Sequence, residues 1–429
     1  MFGKRVALTL VVAMLLGLVL AGPGLAQEPK PYEGQTITVI FPAHEMDIVG
    51  FWPRMAREFE EKTGAEVILI QMSWERMAEK VVPALESGSD AYDVTELDNG
   101  WVAQFGVAGY LEPLDKWLPE GYTEGMAPGH LKLFSWGGNL YGIVWNNDTR
   151  FFMYNKKMLE DAGIEAPPKT WDEMVEQCKI MQEKGICEYC LAQPWEERWV
   201  ACNELHFWTY TFGGEFIDEN YHIIWNDPER GAVEALDFMV KLVKEGLVDP
   251  GSLTYKQIDQ QYIFLAGKIP FFPQAWPSVY AYAQDPNLSK IVGQVGIAMV
   301  PGKKEGMTAA LSLPEAFSIP INAKNKELSA KFIEFMGSRE VNKKMALEIG
   351  AIPIYVDLYN DPEILKLYPY WKEFGEQMET ARGLTQVTWY NEFADVAGIE
   401  VQKALAGEQS AKEALDRAAE MLAEYDGTP

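Results

Sequence analysis

The amino-acid sequence predicts an α/β protein built from two lobes. From residue 36 onward, β-rich stretches at 36–41, 67–70 and 92–97 are separated by helical patterns that begin at Phe51 and Ser73. Strands that alternate with helices in this way are typical of a parallel sheet assembled from βα units. The chain has 429 residues, enough for two domains, and no low-complexity linker divides it. We therefore expect two lobes joined by crossing segments.

A second α/β unit begins near Arg150. Its predicted elements are a helix at 171–184, a strand at 189–192 and a helix at 227–245, followed by a helical C-terminal region. In open α/β sheets a ligand binds beyond the carboxyl ends of the strands. Three loops of the first unit follow such ends, at 43–48, 71–74 and 98–101, and we expect them to face the ligand.

The N-terminus has the layout of a secretory signal peptide. Lys4 and Arg5 precede an apolar run from Val6 to Ala21, which a Gly-Pro-Gly segment ends. Small residues then lead to Ala26, so we predict that residues 1–26 are removed. An uncleaved anchor is the alternative. No cysteine follows the apolar run to accept a lipid, and the sequence therefore predicts an exported, periplasmic protein.

Composition argues against several classes of function. The formal net charge is −26, from 63 acidic and 37 basic residues, and a nucleic-acid partner needs a basic surface. The chain has only four histidines and no HExxH, GxSxG or P-loop motif. We expect a binding protein and not an enzyme, with no cofactor and no metal. A secreted glycoside hydrolase is the alternative, but acidic residues are too numerous to identify the carboxylate pair that it needs.

Four cysteines lie in one stretch: Cys178, Cys187, Cys190 and Cys202. In an exported protein an even, local cluster is typical of disulfides. Zinc binding by Cys187-x-x-Cys190 is the alternative, although a four-thiolate site normally repeats the close pair. Of three possible connectivities, we favour Cys178–Cys187 with Cys190–Cys202.

Four stretches carry a resemblance to a known family through their order and spacing. They are FEEKTG at 59–64, DVTELDNGWVAQFGVAGYLEPLD at 93–115, WNNDTR at 145–150 with YNKK at 154–157 and PPKTWDE at 167–173, and FSIP at 317–320 with NKE at 325–327 and AKFIEF at 330–335. Together they resemble the family-one extracellular solute-binding proteins, the maltose-binding-protein-like group. The resemblance covers nearly the whole chain after the predicted signal peptide.

This resemblance implies a periplasmic binding protein type II fold, with an interlobe ligand cleft and a hinge crossed more than once. It places 32–146 plus 307–358 in the N-terminal lobe and 147–306 plus 359–429 in the C-terminal lobe. It also implies a monomer that captures a small molecule, here a mono- or oligosaccharide, and delivers it to the membrane subunits of an ABC importer. Many members have a glycine pair where this chain has Leu313-Pro314-Glu315-Ala316, so the sugar is not identified.

Tryptophans are the aromatic candidates for contact with a sugar, since flat rings suit its apolar C–H faces. The chain has 14, and many lie beside acidic or amide residues. The positions that match the family's cleft are Trp101, Trp195, Trp276 and Trp389. Core packing is the alternative for each of them.

Polar candidates suit the sugar hydroxyls. They are Glu45, Asp47, Asp98, Asn99, Asp148, Glu315 and Arg382. Capping, surface exposure or ion pairing are the alternative roles for these side chains. The acidic members would also suit a cationic solute such as a polyamine. The feature that separates the two ligand classes is whether the acids face one another in the cleft.

Overall fold

The computed structural model describes residues 30–429, apart from the side chains of Glu45, Glu75 and Lys372. The predicted signal peptide lies outside these residues. The strands are β1 (Thr36–Pro42), β2 (Glu66–Met72), β3 (Val94–Asp98), β4 (Ser135–Trp136), β5 (Asn139–Leu140), β6 (Ile143–Asn146), β7 (Phe151–Asn155), β8 (Phe271–Ala275), β9 (Val295–Ala298), β10 (Ala310–Leu311), β11 (Glu315–Ser318) and β12 (Ala381–Arg382).

The α-helices are α1 (Phe51–Thr63), α2 (Trp74–Glu86), α3 (Val102–Ala108), α4 (Pro128–Leu133), α5 (Lys156–Ala162), α6 (Trp171–Glu183), α7 (Arg198–Thr211), α8 (Ala232–Lys244), α9 (Gln257–Leu265), α10 (Ser278–Ala283), α11 (Lys326–Met336), α12 (Arg339–Ile349), α13 (Pro362–Leu367), α14 (Trp371–Met378), α15 (Tyr390–Leu405) and α16 (Ala411–Met421). Within residues 30–429, no helix combines the length and the apolar character needed to cross a membrane.

The first lobe is built on a five-stranded sheet in the order β2-β1-β3-β11-β6. Strands β1, β2 and β3 are parallel, as the alternation of strands and helices predicts. Strand β11 returns from late in the chain and inserts antiparallel between β3 and β6, so that Glu315 pairs with Asp98. This insertion brings residues far apart in sequence to the same end of the sheet.

The second lobe has a three-stranded sheet with β7 between β8 and β9, both antiparallel to it. Helices α7, α8, α15 and α16 pack together in this lobe. The predicted helix at 171–184 corresponds to α6, and the predicted helix at 227–245 contains α8. The strand predicted at 189–192 is wrong: only an isolated bridge between Leu191 and Val248 forms there.

Two crossing segments run side by side between the sheets. The first, Asn147–Arg150, connects β6 to β7, and the second, residues 299–314, connects β9 to β11. Their main chains are hydrogen-bonded, with Leu313 N donating to Asp148 O at 2.8 Å and Arg150 N donating to Leu311 O at 2.8 Å. Residues that alternate along such paired segments face opposite sides. The lobe boundaries given above stay a prediction.

The two lobes touch closely at Gly100. A Cβ on Gly100, which follows β3, would lie 2.5 Å from the ring of Tyr390 at the start of α15. Tyr390 is fully buried and cannot move aside easily. Glycine at position 100 therefore allows α15 of the second lobe to approach the strand ends of the first.

The structure contains neither disulfide that the sequence predicts, and all four cysteines are buried thiols. The Sγ atoms of Cys187 and Cys190 are 3.8 Å apart, well beyond a covalent S–S bond. Cys190 also contacts Cys178, whereas Cys202 lies in α7 with its thiol 3.8 Å from His206 Nδ1. The two predicted disulfides do not form because Cys178 neighbours Cys190 and Cys202 is oriented toward His206.

Candidate functional site

A small cavity lies between the lobes, at the carboxyl ends of the parallel strands. Its volume is about 40 Å³, which leaves room for roughly three water molecules. Both lobes and both crossing segments contribute to its wall. The lining residues are Pro42, Ala43, His44, Trp74, Asp98, Asp148, Arg150, Trp199, Val200, Asn203, Gln257, Leu313 and Glu315.

The first lobe supplies lining side chains from the ends of four strands. His44 follows β1, Trp74 follows β2, Asp98 ends β3 and Glu315 begins β11. Each of the three loops predicted to face a ligand thus contributes at least one lining residue. Glu315 accepts a hydrogen bond from Asn146 Nδ2 at 2.7 Å. The convergence follows from the parallel sheet, whose strand ends meet at one edge.

His44 is held as a neutral ring. Its Nδ1 accepts a hydrogen bond from Met46 N at 3.0 Å, so Nε2 carries the proton and lies 3.4 Å from Glu315 Oε2. Burial and the nearby Arg150 guanidinium lower the pKa of His44 to about 3. His44 therefore contributes a hydrogen-bond donor and no positive charge at neutral pH.

The first crossing segment supplies the cation of the cavity. Arg150 is buried and forms an ion pair with Asp148 Oδ2. It also donates to Gln257 Oε1 at 3.0 Å, and its guanidinium lies 5.0 Å from the centre of the Trp276 ring. Trp276 is itself held by a 2.9 Å hydrogen bond from Nε1 to Gln261. These contacts hold Arg150 between the crossing segment, α9 and the segment after β8.

Burial raises the pKa values of several carboxyls around the cavity. The pKa of Asp98 rises to about 7, because of burial and then the negative charge of Asp148. Burial also raises the pKa of Asp148, although Arg150 opposes the shift. Behind the wall, burial raises the pKa of Glu204 to about 7 and that of Glu96 well above its usual range. Within the described part of the chain, the cavity lining itself contains three carboxyls and one arginine, an excess of acidic groups over permanent cations.

An aromatic wall faces these acids. Trp74 of the first lobe and Trp199 of the second line the cavity, with ring centres 5.1 Å apart. Trp101 lies one layer behind, 5.5 Å from Trp74 and 6.1 Å from Trp199. Trp74 and Trp199 stay partly exposed, whereas Trp101 is fully buried. This wall spans the boundary between the lobes.

The four predicted tryptophans lie at different depths. Trp101 supports the aromatic wall and Trp276 supports Arg150, but neither lines the cavity. Trp195 is buried ahead of α7, where its main-chain N–H donates to Ser252 O at 3.0 Å. Trp389 stacks on Tyr425 at 5.3 Å and donates from Nε1 to Thr428 O. Trp389 therefore packs against the C-terminal segment, the alternative role considered for it.

Of the polar candidates, Asp98, Asp148 and Glu315 line the cavity together. Asp47 instead caps α1 by accepting from the main-chain N–H groups of Phe51 and Trp52. The side chain of Glu45 lies outside the described part of the chain.

Two further polar candidates have structural partners away from the cavity. Asn99 is fully buried and accepts from Leu384 N at 3.1 Å. Arg382 forms an ion pair with Glu215 and lies 3.8 Å from the centre of the Tyr210 ring. The pairing of Arg382 with a carboxylate is the commoner of the two roles considered for it.

Ten lining residues were absent from the predicted set, among them His44, Trp74, Arg150 and Trp199. A signal for His44 and Trp74 was present, because both lie in loops predicted to face a ligand. Arg150 ends a quoted family stretch, but nothing in the sequence shows that it pairs with Asp148. Trp195 precedes α7, whereas Trp199 lies in the first turn of α7, and only Trp199 lines the cavity.

A larger groove of about 1310 Å³ lies on the opposite side of the crossing segments. Thr149 and Ser312 line it, whereas their neighbours Asp148, Arg150 and Leu313 line the cavity. Apolar side chains such as Leu133 and Trp371 form much of its wall. Among residues 30–429, no arginine lines the groove, and its two carboxylates, Glu376 and Glu379, both lie at the end of α14 and do not converge from separate strands.

The cavity can bind a polar solute between two rigid units. Its side chains offer carboxylate acceptors, amide groups, one guanidinium and two indole faces. They come from both lobes, so a solute in contact with all of them would hold the lobes together.

Known proteins resemble this chain over most of its length. The maltose-bound MalE3 protein of T. maritima superposes with a TM-score of 0.83 at 27% identity, covering 91% of this chain and 99% of that one. A probable ABC transporter-binding protein of Deinococcus radiodurans is 26% identical, over 74% of this chain and 75% of that protein. A probable amino-acid ABC transporter periplasmic-binding protein of Sinorhizobium fredii is 23% identical, over 80% and 78%.

These similarities confirm the predicted two-lobe periplasmic binding protein fold. A sequence model of the family described as bacterial extracellular solute-binding protein matches residues 44–343, which is more than half of the 429 residues. The chain therefore belongs to the bacterial extracellular solute-binding protein family.

Proposed function

We propose that the protein captures a carbohydrate between its lobes and delivers it to the membrane subunits of an ABC importer. The observation that carries this proposal is the pairing of two indole faces with polar groups across one interlobe cavity. Indole faces suit the apolar side of a sugar ring, and carboxylates, amides and a guanidinium suit its hydroxyls.

The proposed mechanism is a shift between open and closed lobes. A solute that contacts Trp74 and Asp98 of one lobe and Trp199 of the other binds the closed arrangement more tightly than the open one. The importer would recognise the closed form. In this proposal the cavity acidic residues bind and do no chemistry. The protein works as an exported monomer in the periplasm.

Replacing Trp199 by alanine should weaken carbohydrate binding at least tenfold. The substitution removes one of the two indole faces in the cavity wall, and the edge of α7 lies at the lobe boundary. Isothermal titration calorimetry with the tightest carbohydrate from a thermal-shift screen measures the change. Circular dichroism checks that the variant is folded.

The matched control is Trp389→Ala. Trp389 is likewise a tryptophan, but it is buried and packs on Tyr425 away from the cavity. This variant should lose stability by a few kcal/mol, as is typical of a large-to-small core change, and keep its affinity within about threefold. Equal affinity for wild type and Trp199→Ala would remove the indole wall from the binding site.

A second candidate ligand class is a small cationic solute without a sugar ring. The observation that favours it is the acidic lining, in which the negative charge of Asp148 adds to burial in raising the pKa of Asp98. Binding of putrescine or spermidine, with no carbohydrate bound, would support this class over the first.

A further inference from the structure

We propose that the carbohydrate carries a protonated amine, which lies between the carboxylates of Asp98 and Asp148. This inference rests on the proposed carbohydrate function and narrows the class of sugar. In this arrangement the ring of the sugar lies against Trp74 and Trp199. The amine then occupies the end of the cavity nearest the crossing segments.

The cavity lining carries more negative than positive charge. Three carboxylates line the cavity, those of Asp98, Asp148 and Glu315. Among the described residues of this lining, Arg150 is the one side chain with a permanent positive charge, and its ion pair is made with Asp148. His44 adds none, since its ring is neutral at pH 7. A cation in the ligand would offset the remaining negative charge.

Asp148 has a buried carboxylate oxygen without a hydrogen-bond donor among the described residues. Asp148 is 1% exposed, and its Oδ1 atom has no hydrogen-bond partner among residues 30–429. Its other oxygen faces Arg150. A buried carboxylate oxygen without a donor is costly, and a ligand that donates to it removes the cost. An ammonium group donates three hydrogen bonds and adds a charge, so it satisfies this oxygen better than a hydroxyl does.

The position of Asp98 also favours a cation beside it. One of its oxygens accepts from Gly100 N at 2.7 Å, which holds the carboxylate at the end of β3. Asp98 and Glu315 are direct partners in the antiparallel register of β3 and β11. Like charges placed opposite each other on a sheet repel. Glu315 already accepts from Asn146 and lies beside His44, which leaves Asp98 as the carboxylate that a cation would meet.

The indole wall is consistent with the same ligand. An ammonium group within about 6 Å of an indole face is attracted by the ring quadrupole. Trp74 and Trp199 line the cavity together with Asp98. The same two rings can hold the apolar face of the sugar, so one ligand uses both sets of groups.

Matched sugars test the inference. Isothermal titration calorimetry at pH 7 compares each amino sugar with its hydroxyl and N-acetyl counterparts: glucosamine, glucose and N-acetylglucosamine, then the galactose and mannose series. The three members of a series share one ring and differ in a single group. We expect one amino sugar to bind at least tenfold more tightly than both neutral counterparts.

The variant Asp98→Asn then locates the amine. Asparagine keeps an oxygen that can accept from Gly100 N, so the strand end stays intact. We expect at least a tenfold loss of affinity for the amino sugar and less than a threefold change for its neutral counterparts. The control is Asp416→Asn, which removes an equal charge from α16, where Asp416 pairs with Lys412. That control should leave all affinities unchanged.

Each remaining outcome overturns a defined part of the proposal. If the neutral sugars bind as tightly as the amino sugars, the amine is wrong and the carbohydrate function stands. If putrescine or spermidine binds and no sugar does, the cationic site stands and the carbohydrate function is wrong. If no sugar or amine binds, including maltose and maltotriose, both proposals are wrong.

Discussion

Replacing Arg150 by methionine should lower the free energy of unfolding by about 3–5 kcal/mol. Arg150 is buried and pairs with the buried carboxylate of Asp148, and removing one partner of such a pair leaves an uncompensated charge. The loss includes the hydrogen bond to Gln257 and the contact with the Trp276 ring. Methionine is apolar and flexible, so the volume stays largely filled. Urea denaturation at pH 7 measures the change.

The double variant Arg150→Met with Asp148→Asn separates charge from packing. Replacing both partners of a buried ion pair is often nearly neutral, because no ionised group is then left without its partner. We expect the double variant to recover at least half of the stability that the single variant loses. A single-variant loss below about 1 kcal/mol would show that the pair does not hold the crossing segment in place.

Replacing Asp98 by asparagine should stabilise the ligand-free protein at pH 8 and have little effect at pH 4. The folded pKa of Asp98 is about 7, above the usual 3.8, so the folded state binds the proton more tightly than the unfolded state. Stability therefore falls as the pH rises from about 4 to about 7, and the full cost remains above pH 7. Asparagine does not titrate and avoids this cost, which is of the order of 1–4 kcal/mol.

Thermal unfolding of both proteins at pH 4, 6 and 8 tests this expectation. Glu204 has a raised pKa of about 7 and titrates over the same range, but it is present in both proteins and cancels in the difference. The groups that face Asp98 are Asp148, Glu315 and Glu96, with Arg150 and His44 close by. A variant less stable than wild type at pH 8 would contradict the raised pKa. A stabilised variant that binds ligand poorly would show that the cavity keeps this carboxylate for function.

The position of the site could be predicted from the sequence, because it follows from the order of the elements. Strands and helices alternate in the first lobe, so the sheet is parallel and its strand ends meet. The loops at 43–48, 71–74 and 98–101 therefore converge, and His44, Trp74 and Asp98 all line one cavity. The identity of each lining side chain was harder to predict than the position of the loops.

Tertiary packing decided which aromatic residues reach the cavity. In the sequence, Trp389 lies near Asn391 and follows Arg382, and such polar neighbours are typical of a sugar contact. In the fold, however, Tyr425 of the C-terminal segment stacks on Trp389. Trp195 lies in the segment before α7 and Trp199 in the first turn of α7, and only Trp199 lines the cavity. Neither contact is visible in the local sequence around these residues.

Tertiary packing also decided the outcome of the disulfide prediction. Their even number and close spacing indicate disulfides in an exported protein, but connectivity depends on which helices meet. Cys202 lies inside α7 against His206, and Cys190 lies between Cys178 and Cys187. The pairing Cys190–Cys202 therefore has no geometric basis in the fold.

A crystal structure of the protein with its tightest carbohydrate tests the central claim most directly. The claim predicts that the ligand lies between the lobes, with its ring on Trp74 and Trp199 and a polar group within hydrogen-bond distance of Asp98. The larger groove beside Thr149 and Ser312 should be empty of ligand. A carbohydrate in that groove, with the interlobe cavity unoccupied, would contradict the claim.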